Sequence, residues 1–569
     1  MGILWIVVTG IVARNDAIAI RTRLHDVQVL VAAGDVQGAE QVAADIPALA
    51  KRAHRLTTGP AWFLGSEIPY FGTPLEIARG TTAATDELGS QGVSVLLKVI
   101  LKLDPAKLRT NGHTIDLAPL AAAAPQLKTV AHVVDHAVKR LDGVPSSSWL
   151  TPVDSVHATM QTLLTSVDGY VNAAARASDV LPTMLGDDGP KRYFIGLQNE
   201  AEMRGTGGLP GAFAILVADH GKLTFTHFES DTALLPKATN QLVKTGLDFG
   251  TNYDLAYGTS NPTSLYVNSN VSPNFPYAAK IWAAMWEKQS GEHVDGAMAV
   301  DPGVLANLLA ATGPVTTPSG VPLAGDSVVS LVEQKEYAIF NNNTARKDFL
   351  VSVLKSVADT AISGRPTAPA LVRALTNSAK AHRVFVWSSD AAVEKVIGQT
   401  DYAGAIPTTS TRPFVGLVMN NAAAGKLDYY LNRSVTYQST GCGSTRDVEV
   451  TIELKNGAPT SGLPSYVTDR LDADHPADVK PGDNRAIVDY YATPGAQLAS
   501  AQINGAAATA NVLSELGHPV YRLDLEMPRQ TISTIKLHLV EPASKGSVDV
   551  WYQPGVNPES VTVDAQTCH

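Results

Sequence analysis

Between Arg14 and about Leu185 apolar residues recur at helical intervals, as in Leu24, Val27 and Val31, and the stretch VNAAARASDVLPTML continues the same texture. Several amphipathic helices are predicted there, with breaks near Pro60, Pro69, Pro74, Pro105, Pro119 and Pro145. The stretch GPAWFLGSEIPYFGTP reads as an aromatic loop between helices, for which packing into the bundle is favoured over contact with lipid or a partner. The pattern changes at Lys191: RYFIGLQN, AFAILVAD and KLTFTHFE are short runs rich in Phe, Ile, Val and Thr, and the dipeptide HG between the last two has the form of a hairpin turn. Helical patterns follow at Tyr277–Gln289, Pro302–Ala311, Arg346–Ile362 and Pro369–Ala379, interleaved with the strand patterns VDGAMAVD, RVFVWSSD and FVGLVMN. Strands alternating with helices predict a layered α/β domain over roughly 190–425. After Gly425 the helical spacing disappears, and about seven short alternating runs divided by Gly, Pro, Asn and Asp predict an antiparallel β-sandwich.

Composition narrows the classes of function. The chain has 569 residues, 45% hydrophobic and 17% charged, which is too apolar for disorder and too long for one compact core. A formal charge of -10 argues against nucleic acid as a partner. Two cysteines exclude a disulfide scaffold, a four-cysteine zinc site and a ferredoxin-type cluster. If Cys442 and Cys568 pair, they tie two parts of the C-terminal region together, add about 4–5 kcal/mol in the chain-entropy model, and imply an oxidising compartment; two unrelated thiols are the alternative.

The chain opens with MGILWIVVTGIVA, an uncharged run that stops at Arg14 after about half the ~20 residues of a membrane span. Nothing basic precedes it, so it does not read as a signal peptide. The reading adopted is the outer half of a transmembrane anchor, residues 1–13, whose first half lies upstream of Met1, with a buried helix or strand as the alternative. A single-pass plasma-membrane protein with the bulk of its chain extracytoplasmic is the corresponding expectation.

The densest polar cluster is QNEAEMRGTGGLPG, Gln198 to Gly211, read as a loop between two strands. It holds Asn199, Glu200, Glu202 and Arg204, and Gly205, Gly207, Gly208 and Gly211 would let backbone amides approach an anion. A Rossmann or P-loop reading fails on spacing, and a strand rather than a helix follows. The competing reading pairs Arg204 with Glu202 and gives the glycines to a tight bend. No HExxH, CxxC or GxSxG occurs. In NNNTARKDF, Asn343 or Thr344 is expected to cap a helix that carries Arg346.

The segment RYFIGLQNEAEMRGTGGLPGAFAILVADHGKL closely resembles the signature of a bacterial, mainly actinobacterial, family of membrane-anchored proteins, the domain-of-unknown-function family 4012. The segments VSPNFPYAAKIWAAMWEKQSGEHVDGAMAVDPGVLANLLAATGPV, RVFVWSSD, AGKLDYYLNRSVTY and GLPSYV resemble its recurring stretches over most of the chain after about 185. A remoter similarity links GEHVDGAMAVDPGVLANLLAATGPV to LytR-CpsA-Psr phosphotransferases, which move polymers from a polyprenyl-pyrophosphate carrier to the cell wall. On that resemblance Arg204 would contact phosphate, Asp231 would hold Mg²⁺ or act as a base, and Arg346 would stand near the later arginine cluster. Those enzymes carry Arg-x-Asp-Thr and Pro-Arg-Asp where this chain has Arg204-Gly-Thr-Gly and Glu229-Ser230-Asp231.

The expected architecture is a multidomain α/β protein: anchor 1–13, helical region 14–185, a LytR-CpsA-Psr-like α/β domain with a mixed sheet over 186–425, and an antiparallel β-sandwich over 426–569. The expected function is binding of a cell-envelope ligand or partner without established catalysis, with Asn199, Glu202, Arg204, Gly207, Gly208 and Arg346 at the site. The alternative is a phosphotransferase acting on a polyprenyl-pyrophosphate-linked glycopolymer, with Arg204 and Asp231 as its catalytic candidates. The partners implied are a prenyl-phosphate lipid or cell-wall glycopolymer, envelope proteins, and the membrane through the anchor.

Overall fold

In a computed structural model of the full chain, residues 2–33, 35–102, 109–110, 114–235, 242–408, 412–441, 443–472, 474–476, 478–544 and 546–566 are described. The chain divides into two compact units, one formed mainly by residues 1–190 and the other mainly by residues 191–569.

The first unit is helical. Its long helices are α1 (Gly2–Ala33), α2 (Ile46–Thr57), α3 (Pro60–Ser66), α4 (Thr73–Glu87), α5 (Ala118–Asp142) and α6 (Thr151–Met184). Pro60, Pro74 and Pro119 stand in the first turns of α3, α4 and α5, where a missing amide is no loss. Ala13, Ala17, Ile20 and Leu24 make one buried stripe along α1, and Ile20 and Leu24 join Ile46, Ala50, Leu88, Val134 and Leu164 in a common core.

The expectation of a transmembrane anchor, and with it a single-pass plasma-membrane location, is corrected here. Among the described residues no helix is long and apolar enough to cross a membrane. The apolar run is the start of α1, which continues through Arg14, Asp16, Arg21 and Arg23, and the buried Asp16 accepts hydrogen bonds from Arg52 of α2. The expected disulfide clasp is corrected as well: Cys442 and Cys568 both lie outside the described residues, among which no disulfide is found.

The second unit begins with β1 (Lys191–Arg204), β2 (Gly207–Asp219) and β3 (Lys222–Ser230). His220 and Gly221 both take positive φ, 47° and 79°, as the predicted two-residue hairpin turn requires. With β4 (Gly296–Val300) and β5 (Phe385–Ser388) these strands lie in the order β3-β2-β1-β4-β5, with β1 and β4 parallel and the β1–β2 and β4–β5 pairs antiparallel. Alternation sends Phe194, Phe213 and Ile215 to one face, against Trp282 and Met285 of α7 (Phe275–Ser290). Leu197, Ala212 and Ala214 face Leu305 of α8 (Pro302–Thr312) and Phe349 and Val353 of α9 (Asn343–Ile362). The helix-covered mixed sheet accounts for the near-continuous burial of β1.

The strand-rich C-terminal region consists of two sheets. One has the order β12-β13-β9-β6-β15, formed by Asn511–Glu515, His518–Met527, Asn484–Ala492, Phe414–Asn421 and Asp549–Tyr552. The other is β11-β10-β14-β8-β7-β16, formed by Ala506–Ala508, Gln497–Ile503, Ile532–Pro542, Thr445–Asn456, Leu431–Thr440 and Ser560–Ala565. Each sheet is antiparallel except for one parallel edge pair, β6–β15 and β7–β16. Val448, Val450, Ile452, Ile535, Leu537 and Leu539 meet Val415, Leu417, Val488 and Leu523 in a shared core. The strand FVGLVMN, predicted as part of the α/β layer, is β6 of this sandwich; buried at every position, it has no alternation to mark which sheet it joins.

Gly196 on β1 lies against Trp282, and a Cβ there would stand 2.7 Å from the indole ring. Gly196→Ala is expected to destabilise the second unit by about 1–3 kcal/mol through overpacking. In urea denaturation, adding Trp282→Phe to Gly196→Ala should recover part of the lost midpoint, because the atoms the Cβ meets belong to the outer indole ring.

Candidate functional site

The segment Gln198–Gly211 is not an open loop. It is the tip of the β1–β2 hairpin, strand on both arms, with register shifts after Leu197 and after Asn199. Its glycines serve close packing of backbone on backbone. A Cβ at Gly205 would lie 2.3 Å from the Val271 carbonyl oxygen, and one at Gly208 would lie 2.2 Å from the Asn199 backbone. Gly207 has φ +134°, and a Cβ there would meet Pro554.

The polar groups of the hairpin are met by side chains from elsewhere in the second unit. Asp428 accepts the Met203 amide at 2.8 Å, and Asn420 accepts that of Gly205 at 3.0 Å. Gln553 donates to the Arg204 carbonyl at 2.7 Å. The Arg204 guanidinium donates to the Met203 and Asn421 carbonyls, at 2.9 and 3.3 Å, and to Glu202 at 2.9 Å. Burial pulls Arg204 down to about 10, so it stays charged near neutrality. The other Glu202 oxygen pairs with Lys426, so this carboxylate bridges two buried cations.

One step along β1, the fully buried Glu200 receives Arg383 Nη1 on both oxygens, at 3.0 and 3.1 Å, and the same nitrogen reaches Asp301 at 2.8 Å. Arg383 Nη2 donates to the Gly555 carbonyl at 2.6 Å. Burial and then the nearby Asp301 push the Glu200 carboxyl upward, against the pull of Arg383. Glu333 accepts the Glu200 amide at 2.9 Å through one oxygen, while its buried second oxygen has no partner. Burial, reinforced by Glu200, raises Glu333 well above the carboxylate range.

Glu333 lies in a π-helical turn, Leu331–Lys335, a geometry frequent at functional sites. It lines a cleft of about 230 Å³ together with Tyr337, Lys426, Tyr430, Leu463 and Val467. The Tyr337 hydroxyl accepts from Asn199 at 2.7 Å, and the Tyr430 hydroxyl accepts from Gln334 at 3.1 Å. Beside the cleft, the Arg346 guanidinium sits 3.6 Å from the Tyr466 ring centroid and donates to Asn343 at 3.0 Å. Lys426 Nζ is 5.9 Å from the same ring. Asn342, rather than Asn343 or Thr344, caps the helix that carries Arg346.

The fold therefore gathers Asn199, Glu202 and Arg346 around residues of one cleft and sets Arg204 behind Glu202. It places Gly207 and Gly208 in the hairpin backbone and Asp231 elsewhere, in an ion pair with Lys347 at 2.6 Å. Among the described residues no group of three or more His, Cys, Asp or Glu is arranged to hold a metal ion. Sequence reading missed Glu333, Tyr337, Lys426, Tyr430 and the Arg383 clamp. Lys426 and Tyr466 lie inside the quoted stretches AGKLDYYLNRSVTY and GLPSYV, but their spacing gives no sign that they converge.

A helix-covered mixed sheet whose central hairpin is pinned by sandwich residues defines the larger unit structurally. Residues 188–337, about a quarter of the chain, match the family model described as Protein of unknown function (DUF4012), which agrees with the resemblance read from the hairpin sequence. No curated protein and no solved structure matches the chain.

Two outcomes follow from these electrostatics. Arg383→Ala leaves Glu200 and Asp301 buried without their cation and should destabilise the second unit by about 3–5 kcal/mol, read as a large fall in its unfolding temperature. Burial holds Glu336 at about 8, opposed by Arg346, and one of its oxygens has no partner. Because the folded state keeps this proton, its stabilisation is complete below the ordinary carboxylate range and is lost as pH rises toward 8. Glu336→Gln should therefore flatten the decline in stability between about pH 4.5 and 8 by up to ~1.4 kcal/mol per pH unit, checked by urea titrations across that range.

Proposed function

We propose that this chain is a binding protein without catalysis of its own, whose ligand is an anionic, sugar-sized component of the cell envelope. The observation that carries this reading is the set of unfilled donors on one cleft. The protons of the Tyr337 and Tyr430 hydroxyls have no acceptor among the described residues. Lys426 lines the same cleft, and Arg346 flanks it across Tyr466. Hydroxyl donors without matching acceptors, set beside Lys426 and Arg346, favour an occupant rich in oxygen and negative charge. At about 230 Å³ the cleft suits a group smaller than a typical drug-sized ligand. The envelope part of the reading rests on the resemblance of the central segment. No feature of the fold favours the polyprenyl phosphotransfer reading over binding, since Arg204 is engaged by Glu202 and backbone carbonyls and Asp231 by Lys347.

Isothermal titration with N-acetylglucosamine 1-phosphate as the probe should give saturable binding. Lys426→Met and Tyr430→Phe should each weaken it by about tenfold or more, the worth of one hydrogen bond to a charged group. Absence of heat at millimolar probe, or unchanged affinity in both variants while they remain folded, overturns the assignment.

A further inference from the structure

The helical unit contains a second cavity, unrelated to that cleft, of about 650 Å³. Its floor is buried and apolar: Ala13, Ala17 and Ile20 of α1, Ala53 of α2, Trp62 of α3 and Pro74 of α4. The few polar groups in the wall are already satisfied. Thr57 and Thr82 bond to each other at 2.6 Å, Thr85 donates to the Thr81 carbonyl at 2.7 Å, and Thr81 bonds His157 at 3.1 Å. Trp62 Nε1 donates to Thr9 at 2.9 Å. Water in this space finds almost no partners, so an apolar guest is favoured there.

The shape of the space limits the guest. Lining residues on α1 run from Ile6 to Ile20, about 21 Å along the axis, so the mean cross-section is about 30 Å². A single extended hydrocarbon chain fits a space of that length and width. The rim is aromatic and exposed: Phe71 is 64% and Trp149 48% accessible, with their rings 6.2 Å apart, and Tyr70 packs edge-on against Phe71. Arg14 is the sole charged residue in the lining and has no ion-pair partner among the described residues. An apolar slot with one cation partway along it, about 12 Å of helix from the Ile6 end, matches a hydrocarbon chain that ends in an anion.

We propose that this cavity binds one single-chain anionic amphiphile, its hydrocarbon along α1 and its head group at Arg14. A fatty acid and an isoprenoid phosphate share that chemistry, and the test separates them. The full chain, stripped of lipid on a hydrophobic resin, is titrated with the fluorescent fatty acid cis-parinarate, which is then displaced with palmitate, geranylgeranyl phosphate or neutral hexadecanol. The expected result is saturation near one probe per chain, with the tighter of the two anionic competitors identifying the chain type. Arg14→Ala, at an exposed position, should weaken the anionic competitors about fivefold and leave hexadecanol unchanged. Ala17→Phe, which fills the floor, should abolish binding in protein with unchanged circular dichroism. The proposal is overturned if the wild type shows no saturable binding, if Arg14→Ala leaves the anionic competitors unaffected, or if a folded Ala17→Phe protein binds as the wild type does. A self-association of the chain that buries this face without taking up the probe also overturns it.

Discussion

The Arg383 guanidinium, held between Glu200 and Asp301, is the contact on which the larger unit turns. Glu200 lies on the central strand of the α/β sheet, Asp301 caps the helix after the parallel strand β4, and the other arm of Arg383 reaches Gly555 next to the sandwich. A buried carboxylate without a cation is costly, so these three pieces of chain are stable only when together. The hairpin tip repeats the arrangement with Glu202 between Arg204 and Lys426. Polar contacts from Asp428 and Gln553 and the apolar packing of Met203 together join the sandwich to the hairpin.

This has a bearing on how the cleft works. Glu333 is tied to Glu200 through a backbone amide, and Lys426 is tied to Arg204 through Glu202, so both walls are extensions of the charge network. Such groups are held in place by the fold itself. Tyr466 stands beside the cleft with Arg346 and Lys426 near its ring.

Much of the fold was legible because local pattern and final environment agree. The helices at Pro302 and Arg346, the HG turn and the alternating runs after Gly425 all announce themselves through caps, spacing and turn chemistry. The misreadings occur where that agreement breaks down. QNEAEMRGTGG has the composition of a surface loop, yet Glu200 and Glu202 are matched by Arg383 and Lys426, 183 and 224 positions away, which no local pattern encodes. Asn199 and Glu202 from the sequence reading contact Tyr337 and Lys426, which line the cleft, and Arg346 contacts Tyr466 beside it. Arg383 was invisible because a single arginine before a strand has no periodic signature. The opening apolar run was misread because it is only the first part of a longer helix, α1, whose later residues include Arg14, Asp16, Arg21 and Arg23.

The two parallel edge strands of the sandwich set an order on folding. Asp549–Tyr552 completes one sheet beside Phe414–Leu417, and Ser560–Ala565 completes the other beside Ser434–Ser439. Gln553, between them, closes on the Arg204 carbonyl across 349 residues of sequence. Loops of that length close late, so the hairpin at the heart of the α/β layer keeps an unmet carbonyl until almost the whole unit has been synthesised. During translation the nascent second unit is thus an unfinished sheet with open edges, a state in which a growing chain needs shelter from its neighbours.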